Sequence, residues 1–470
     1  MRRRCRYVIQ NRACQRCPTF QRADGLPNAR HRHDRRAVGG MMPQLATFLN
    51  RERLGTVTLQ DQGELYELNY AASWLKGPHF AVSPHLLPGK PDSGAVKRFL
   101  ANLLPEGKWL EELSVAHQIS KSNVFGLVAL LGAETTGALS FQFDGEKQGA
   151  GTTDLRPVGL EELQERIARR QQVSIINWDG KPRLSVAGVQ DKLPILIKPT
   201  GEMGFGEGEL ASTDILKFGR EPDLHMAINE LFCMVLARRV MLPAAKVSLE
   251  RWGEPVLRVE RFDRRWNDEK VDRLHLIDGC QLLDLPPVYK YERPFGKQGE
   301  AARIRSGASL AKLFEACSYC RIPAQARRDL LNWVLFQLLI ENSDAHAKNI
   351  SFFVNENGID LAPAYDLLNV GIYGEEFEVD LAMAVGDEFV LSEILPYQMA
   401  GMCDECKLPQ RLVADKLKNL CQKILKNLND LPFDILEAQE VPFARTLVGR
   451  IRANAERFSK IAEELPRVRL

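Results

Sequence analysis

An aspartate and an asparagine stand five positions apart in Asp344-Ala-His-Ala-Lys-Asn349, and Tyr365-Asp366 follows, its carboxylate seventeen residues beyond the asparagine. A carboxylate, an amide and a second carboxylate at this spacing suit phosphoryl transfer. The first carboxylate accepts the proton of an attacking hydroxyl, while the amide and the second carboxylate hold Mg²⁺ against nucleotide phosphates. Mg²⁺ takes such a sparse donor set because it keeps several waters and shares phosphate oxygens. The His-Arg-Asp lead-in and the Phe-Gly that usually flank such a centre are both absent. Spacing alone therefore also fits a polar loop between two core elements.

The neighbouring elements favour the chemical reading. Leu330 to Ile340 is too apolar for a surface helix and reads as a buried one that delivers Glu341-Asn342-Ser343-Asp344 at its end. Ile350 to Val354 and Ile359 to Ala362 flank Asn355-Glu356-Asn357-Gly358, which predicts a β-hairpin. A hairpin brings its ends together, so Asn349 and Asp366 reach one site, with Asp344 on the loop before it.

Upstream the chain is β-rich. Leu193 to Ile197, Asp214 to Phe218 and Pro255 to Val259 read as strands, and Leu224 to Ala237 as a helix carrying Glu230. Lys217 lies among Ile215, Leu216 and Phe218, so an inward lysine needs an anion, and an α/β-phosphate supplies one. The other reading is an edge lysine facing solvent. Glu230 is the candidate partner of Lys217. Residues 42–150 read as a smaller mixed region, with strands at 45–49, 56–59 and 66–70 and a helix from Ala95 to Leu104 that stops before Pro105. Residues 145–156 read as a linker. Helical patterns dominate from about 300 onward, interrupted by the hairpin and by a strand near 377–384.

The 470 residues have the composition of an ordinary globular protein, 45% hydrophobic and 26% charged. No apolar run approaches the roughly 18–20 residues needed to span a bilayer, which argues against a membrane protein. The net charge of +2 conceals eleven Arg against two Asp within residues 1–40. A basic arm is a possible nucleic-acid contact. This one lacks apolar periodicity and a signal-peptide core, and residues 1–41 read as a disordered or upstream extension, with Met42 as the true start. Of ten Cys, three CxxC pairs (Cys14/Cys17, Cys317/Cys320, Cys403/Cys406) have the spacing of zinc half-sites, but they lie far apart. Reduced thiols in a cytoplasmic protein are the simpler expectation.

Ser185-Val-Ala-Gly-Val-Gln-Asp-Lys192, Val259-Glu-Arg-Phe-Asp-Arg-Arg-Trp266, Asp344-Ala-His-Ala-Lys-Asn-Ile-Ser351 and Pro363-Ala-Tyr-Asp366 together resemble the HipA toxins, bacterial serine/threonine kinases of type II toxin–antitoxin modules. The resemblance runs over about residues 42–465. It implies an α+β, two-lobed, kinase-like fold, with an N-terminal subdomain over 42–150, a kinase-like N-lobe over 151–265 and a mainly helical C-lobe over 266–470. It implies Asp344 as catalytic base, Asn349 and Asp366 as Mg²⁺ ligands, and His346, Ala347, Lys348 and Tyr365 beside the ATP phosphates. The loop Ala187, Gly188, Val189, Gln190, Asp191 and Lys192 would cover those phosphates, and Glu260, Arg261 and Phe262 would form the hinge that meets adenine. Ser185 matches a serine whose autophosphorylation switches the family's kinases off. A phosphate group there adds about −1.5 to −2 charges to a loop meant to cradle phosphates. The implied partners are a HipB-like helix-turn-helix antitoxin, a translation-related substrate such as glutamyl-tRNA synthetase, and operator DNA reached mainly through the antitoxin. Ala384 to Ile394, where some relatives carry a basic DNA-contacting loop, is acidic here, and binding DNA phosphates needs Lys or Arg. The alternative is a catalytically idle relative acting as a co-repressor.

Overall fold

Alternating apolar residues build the first sheet. Strands β1 (Gln44–Leu49), β2 (Glu52–Gln60) and β3 (Leu65–Tyr70) form the expected meander. Leu45 sits opposite Val57, and Val57 opposite Leu68, so all three side chains share one buried face. Helix α1 (Ser93–Asn102) packs on it, its first turn capped by the Asp92 carboxylate accepting from the Ala95 N–H at 2.9 Å. Strand β4 (Leu139–Phe143) completes the antiparallel order β3-β2-β1-β4. The computed structural model describes residues 42–470 except 61–64, 78–79, 90, 133–134, 136, 144–152, 184–190, 220–224 and 377–378. The basic segment 1–41 thus lies outside the described residues, and Met42–Leu470 forms one compact unit.

The second sheet carries the site. Its strands are β5 (Asp154–Pro157), β6 (Lys192–Ile197), β7 (Met203–Glu207) and β8 (Asp214–Phe218). After helix α2 (Met226–Arg239) come β9 (Val247–Arg251) and β10 (Pro255–Glu260), giving the order β9-β10-β8-β6-β7-β5. β6 is buried at every position, as a central strand should be. Its register against β8 sets Lys192 directly opposite Lys217. Lys192 therefore begins a strand rather than ending a loop. Residues 154–157 correct the linker expectation. They pair with β7, Arg156 opposite Phe205, as an edge strand held by main-chain bonds, which composition does not reveal; Pro157 is tolerated at such an edge.

A third sheet joins β11 (Leu276–Asp278) to the expected hairpin, which follows helix α3 (Pro323–Leu339). The hairpin strands are β12 (Ser351–Asn355) and β13 (Gly358–Leu361), closing at Asn355 opposite Gly358. α3 starts with Pro at its first position and is buried along most of its length. Helices α4 (Gln410–Asn427) and α5 (Val441–Glu464) pack against each other in the C-terminal region. The mixed α+β class is as expected. The strand near 377–384 is not formed among the described residues. Leu381 to Ala384 is buried but bends at Ala382 and Met383: Ala382 donates to the Ser343 carbonyl at 2.8 Å and accepts from the Glu292 N–H at 2.9 Å. A short apolar run without a partner strand reads the same way in sequence.

The described CxxC pairs, Cys317/Cys320 and Cys403/Cys406, are buried free thiols. Burial pushes Cys317 up to about 11 and Cys403 and Cys406 up to about 12. Among the described residues no three His, Cys, Asp or Glu side chains gather to hold a metal. No described helix is long and apolar enough to cross a membrane.

Candidate active site

The site begins where α3 ends. Glu341 adopts a left-handed conformation (φ 57°), its N–H donating to the Leu338 carbonyl at 3.2 Å while the Asn342 N–H reaches the Gln337 carbonyl at 2.9 Å. This is a Schellman turn made without glycine, which costs about 1–2 kcal/mol of backbone strain. Arg450, 2.7 Å from the Glu341 carboxylate, helps hold that residue in place. The turn throws the chain sharply off the helix axis and presents Asn342, Ser343 and Asp344 at its tip.

Asn342, fully buried, ties the two halves of the site together. Its amide donates to the Asp366 carbonyl (3.1 Å) and to the Gln337 side chain (2.9 Å), and its oxygen accepts from the Asp344 N–H (3.2 Å). Asn349 turns its amide N–H₂ back to the Asp344 carbonyl at 2.9 Å, which leaves its oxygen for a cation. The Asp344 carboxylate accepts from the Tyr291 hydroxyl at 2.7 Å while 49% of its side chain remains exposed. Desolvation by the surrounding protein raises its pKa, and the Tyr291 hydroxyl opposes this.

Asp366 holds a left-handed φ of 56°, a conformation that Asp tolerates better than most residues. Its carboxylate meets the Lys217 ammonium, which also donates to Glu230 at 2.6 Å. The expected Lys217–Glu230 pair is therefore formed, deeply buried. Burial works against the charge on Lys217, but Asp366 and Glu230 outweigh it and raise its pKa. Burial likewise opposes the charge on Asp366, but Lys217 and Lys192 hold its pKa well below the carboxylate range. The loop after Asp366 is fastened to α2, where Asn229 donates to the Asn369 carbonyl and accepts from the Asn369 N–H, both at 2.8 Å. Lys192 is buried beside this group, and its ammonium makes no hydrogen bond to a described residue. Burial lowers its pKa, against the pull of Asp366. An unpaired buried ammonium opposite Lys217 is a ready phosphate ligand.

The remaining expected residues divide. His346 is buried next to Asp344, its Nε2 4.0 Å from that carboxylate and its Nδ1 without a partner. Burial, reinforced by Lys290, keeps it neutral. Tyr365 donates to the Lys348 carbonyl at 2.8 Å and packs at a tilt against Phe262, so it braces the loop. Ala347 and Lys348 share a short 3-10 turn ending at Asn349, with Ala347 fully buried. Lys348, expected at the phosphates, makes its hydrogen bonds elsewhere: to Asp278 at 2.5 Å and to the Asn102 carbonyl and amide oxygens at 3.1 and 3.2 Å. At the expected hinge the Glu260 and Arg261 N–H groups are engaged with the Lys246 and Thr213 carbonyls, both at 2.9 Å. The Glu260 side chain is exposed and pairs with Lys246, the Arg261 guanidinium forks onto Asp263, and Phe262 packs edge-on to Phe353. Asp191 pairs with Lys108. Ser185, Ala187, Gly188, Val189 and Gln190 lie outside the described residues.

Tyr291, Asn342, Asp278 and Asn102 were missed in the sequence. Asn342, two residues before Asp344, carried a legible signal, since Asn habitually bonds the backbone two residues on. The others reach the site only through the fold.

Comparison with known proteins shows which family the chain resembles. The sequence profile of the HipA-like C-terminal domain matches residues 184–428, and that of the HipA N-terminal domain matches residues 45–142. The serine/threonine-protein kinase toxin HipA of Shewanella oneidensis is 37% identical over 418 residues, covering 88% of this chain and 95% of that protein. This chain belongs to the HipA family. A solved complex of Shewanella oneidensis HipA with HipB and its operator DNA contains a HipA-family chain that superposes with a TM-score of 0.82 at 37% identity, covering 91% of this chain and 100% of that one. A Sinorhizobium fredii relative is 30% identical over 82% of this chain and 92% of its own. The HipA-like C-terminal profile spans Lys192, Lys217, Asp344, Asn349 and Asp366 alike.

Proposed function

We propose that this HipA-family chain is an ATP-dependent serine/threonine protein kinase that acts as the toxin of a type II toxin–antitoxin module. One observation carries the reading: Asn342 binds the Asp344 and Asp366 loops to each other, against the buried Lys217–Glu230 pair. In the proposed step the acceptor hydroxyl oxygen bonds to the γ-phosphorus of ATP, the bond from that phosphorus to the β,γ-bridging oxygen breaks, and ADP leaves. The hydroxyl proton passes to Asp344. Lys217 and Lys192 face the phosphates, and neutral His346 lines the same wall.

The donor set fits Mg²⁺, which Asp366 and Asn349 would hold. The two supply one carboxylate and one amide oxygen, in keeping with an ion that takes most of its ligands from water and phosphate. When bound, the ion neutralises charge on the phosphate oxygens. Adenine would lie against the Glu260–Phe262 segment, with the Ala187–Lys192 loop over the phosphates.

The family resemblance supplies the finer expectations. Phosphorylation of Ser185 would switch the kinase off, the target would be a translation protein of the glutamyl-tRNA synthetase kind, and a HipB-like antitoxin would neutralise the chain and carry it to operator DNA. The test is incubation of the full chain with labelled ATP and Mg²⁺, wild type beside Asp344→Asn, followed by mass spectrometry. Label on Ser185 in the wild type alone supports the kinase and its switch. ATP binding without label in either protein overturns the reading in favour of an idle co-repressor.

A further inference from the structure

Asp344 also borders a cleft of about 200 Å³ walled by Tyr291, Arg293, Lys297, Asp380 and Phe389, among others. Lys192, Lys217 and Asp366 are not among the described residues that line it. One wall is a strap over residues 290–307. The strap is pinned at its base, where the buried Glu292 carboxylate accepts from Arg305 at 2.5 Å and from the Ala384 N–H at 2.7 Å. The Gly307 N–H closes it onto the Glu292 carbonyl at 3.2 Å.

Arg293 stands out on this strap. Its guanidinium carbon lies over the Phe389 ring, 3.3 Å from the centroid. Its Nε is buried without a partner. Its nearest carboxylate, Asp380, is 4.0 Å from Nη1, beyond hydrogen-bond reach, and Lys297 approaches the same carboxylate at 3.6 Å. Guanidinium donors left unsatisfied cost stability unless a ligand supplies the acceptor. Its two terminal nitrogens make no hydrogen bond to a described residue, so they are the part available to form a bidentate fork, the geometry that matches a carboxylate.

We propose that this cleft is the acceptor subsite, and that Arg293 reads a carboxylate side chain flanking the hydroxyl to be phosphorylated. The proposal rests on the kinase reading above and deepens it. Asp344 is the shared wall: the nucleotide lies on its lysine side and the acceptor segment on its strap side, with Tyr291 between the base and the subsite. The partner is a protein segment carrying Asp or Glu close to its Ser or Thr.

The test uses the full chain with Mg-ATP and a tryptic digest of a bacterial proteome as substrate, with phosphosites read by mass spectrometry. Wild-type sites should be enriched in Asp or Glu near the acceptor. Arg293→Gln should lose that enrichment. On a synthetic peptide bearing one such Glu, the variant should raise the peptide KM roughly tenfold and leave the ATP KM within about twofold. Arg293→Glu should prefer the matching Lys peptide. Sites without acidic enrichment, or enrichment that survives Arg293→Gln, overturn the subsite and leave the kinase standing. A raised ATP KM reassigns Arg293 to the nucleotide. Autophosphorylation with no peptide labelled also counts against a subsite for a flanking residue. If neither peptide nor the chain itself is labelled, the kinase reading has failed first.

Discussion

Lys348 provides a sharp test, because its sequence neighbourhood and its structure assign it different work. In sequence it sits between Asp344 and Asn349, the residues proposed to act on the phosphates. In the fold its ammonium has three donors and three acceptors: Asp278 at 2.5 Å and two oxygens of Asn102 at 3.1 and 3.2 Å. The side chain is 3% exposed and that of Asp278 12%. Burial acts to lower the Lys348 pKa, and the Asp278 and Glu106 charges overcome it, so the ammonium stays charged. Lys348→Met leaves the Asp278 carboxylate buried without its counter-charge, which typically costs about 3–5 kcal/mol. Against a usual total of about 5–15 kcal/mol this is a large fraction. Asp278→Asn removes the orphan charge but keeps the oxygen that accepts from the Gln281 N–H at 2.8 Å. The double variant should therefore be more stable than Lys348→Met alone, with a coupling of about 1–3 kcal/mol. Urea unfolding of the wild type, both single variants and the double variant measures this, alongside the KM for ATP of each folded protein. A Lys348→Met protein that loses less than about 1 kcal/mol while its ATP KM rises tenfold would refute the structural role and return Lys348 to the phosphates.

Three further outcomes follow from the same geometry. Asp344→Asn should lower phosphoryl transfer by roughly 10²–10⁴-fold and leave ATP binding intact; equal label incorporation by variant and wild type would remove Asp344 from the role of base. Tyr291→Phe deletes the hydroxyl that orients Asp344 at 2.7 Å. It should lower kcat by roughly tenfold or more, the worth of one hydrogen bond to a charged group, with little change in the ATP KM; an unaltered kcat would show that Asp344 needs no orienting partner. His275 is buried, its Nε2 2.9 Å from the Val82 carbonyl, and burial lowers its pKa to about 4 despite that carbonyl. The unfolded chain takes up this proton below about pH 6.5 and the folded chain only near pH 4. Stability should accordingly fall by about 3 kcal/mol across that window as the pH drops. His275→Gln should flatten that part of the stability–pH curve, and a difference curve with no slope between pH 6.5 and 4 would contradict the assignment.

Much of the site was readable before folding was considered. Asp344, Asn349 and Asp366 were legible because short loops at fixed spacing must bring them together, and Lys217 because an ammonium on an apolar strand demands a partner. Glu230 was legible as that partner, one helix away. Lys348 was not, because local sequence places it beside Asp344 and Asn349 and says nothing of Asp278, seventy positions earlier, or Asn102, at the end of α1. Tyr291 and Arg293 were equally silent, since a strap's position depends on the buried Glu292–Arg305 pair that folds it back.

The sequence by itself determined the elements, through apolar period and turn chemistry: the meander over 45–70, the buried strand from Leu193, the buried helix through Leu330–Ile340 and the hairpin turning at Asn355–Gly358, all of which form. These are local properties, set by which side chains leave water together. Tertiary structure alone decided the edge strand at 154–157, the buried bend at 381–384, the direction in which Lys348 points and the cleft beside Asp344. Each depends on main-chain bonds or charges between segments tens to hundreds of residues apart, and no local pattern records which distant group will satisfy a buried donor.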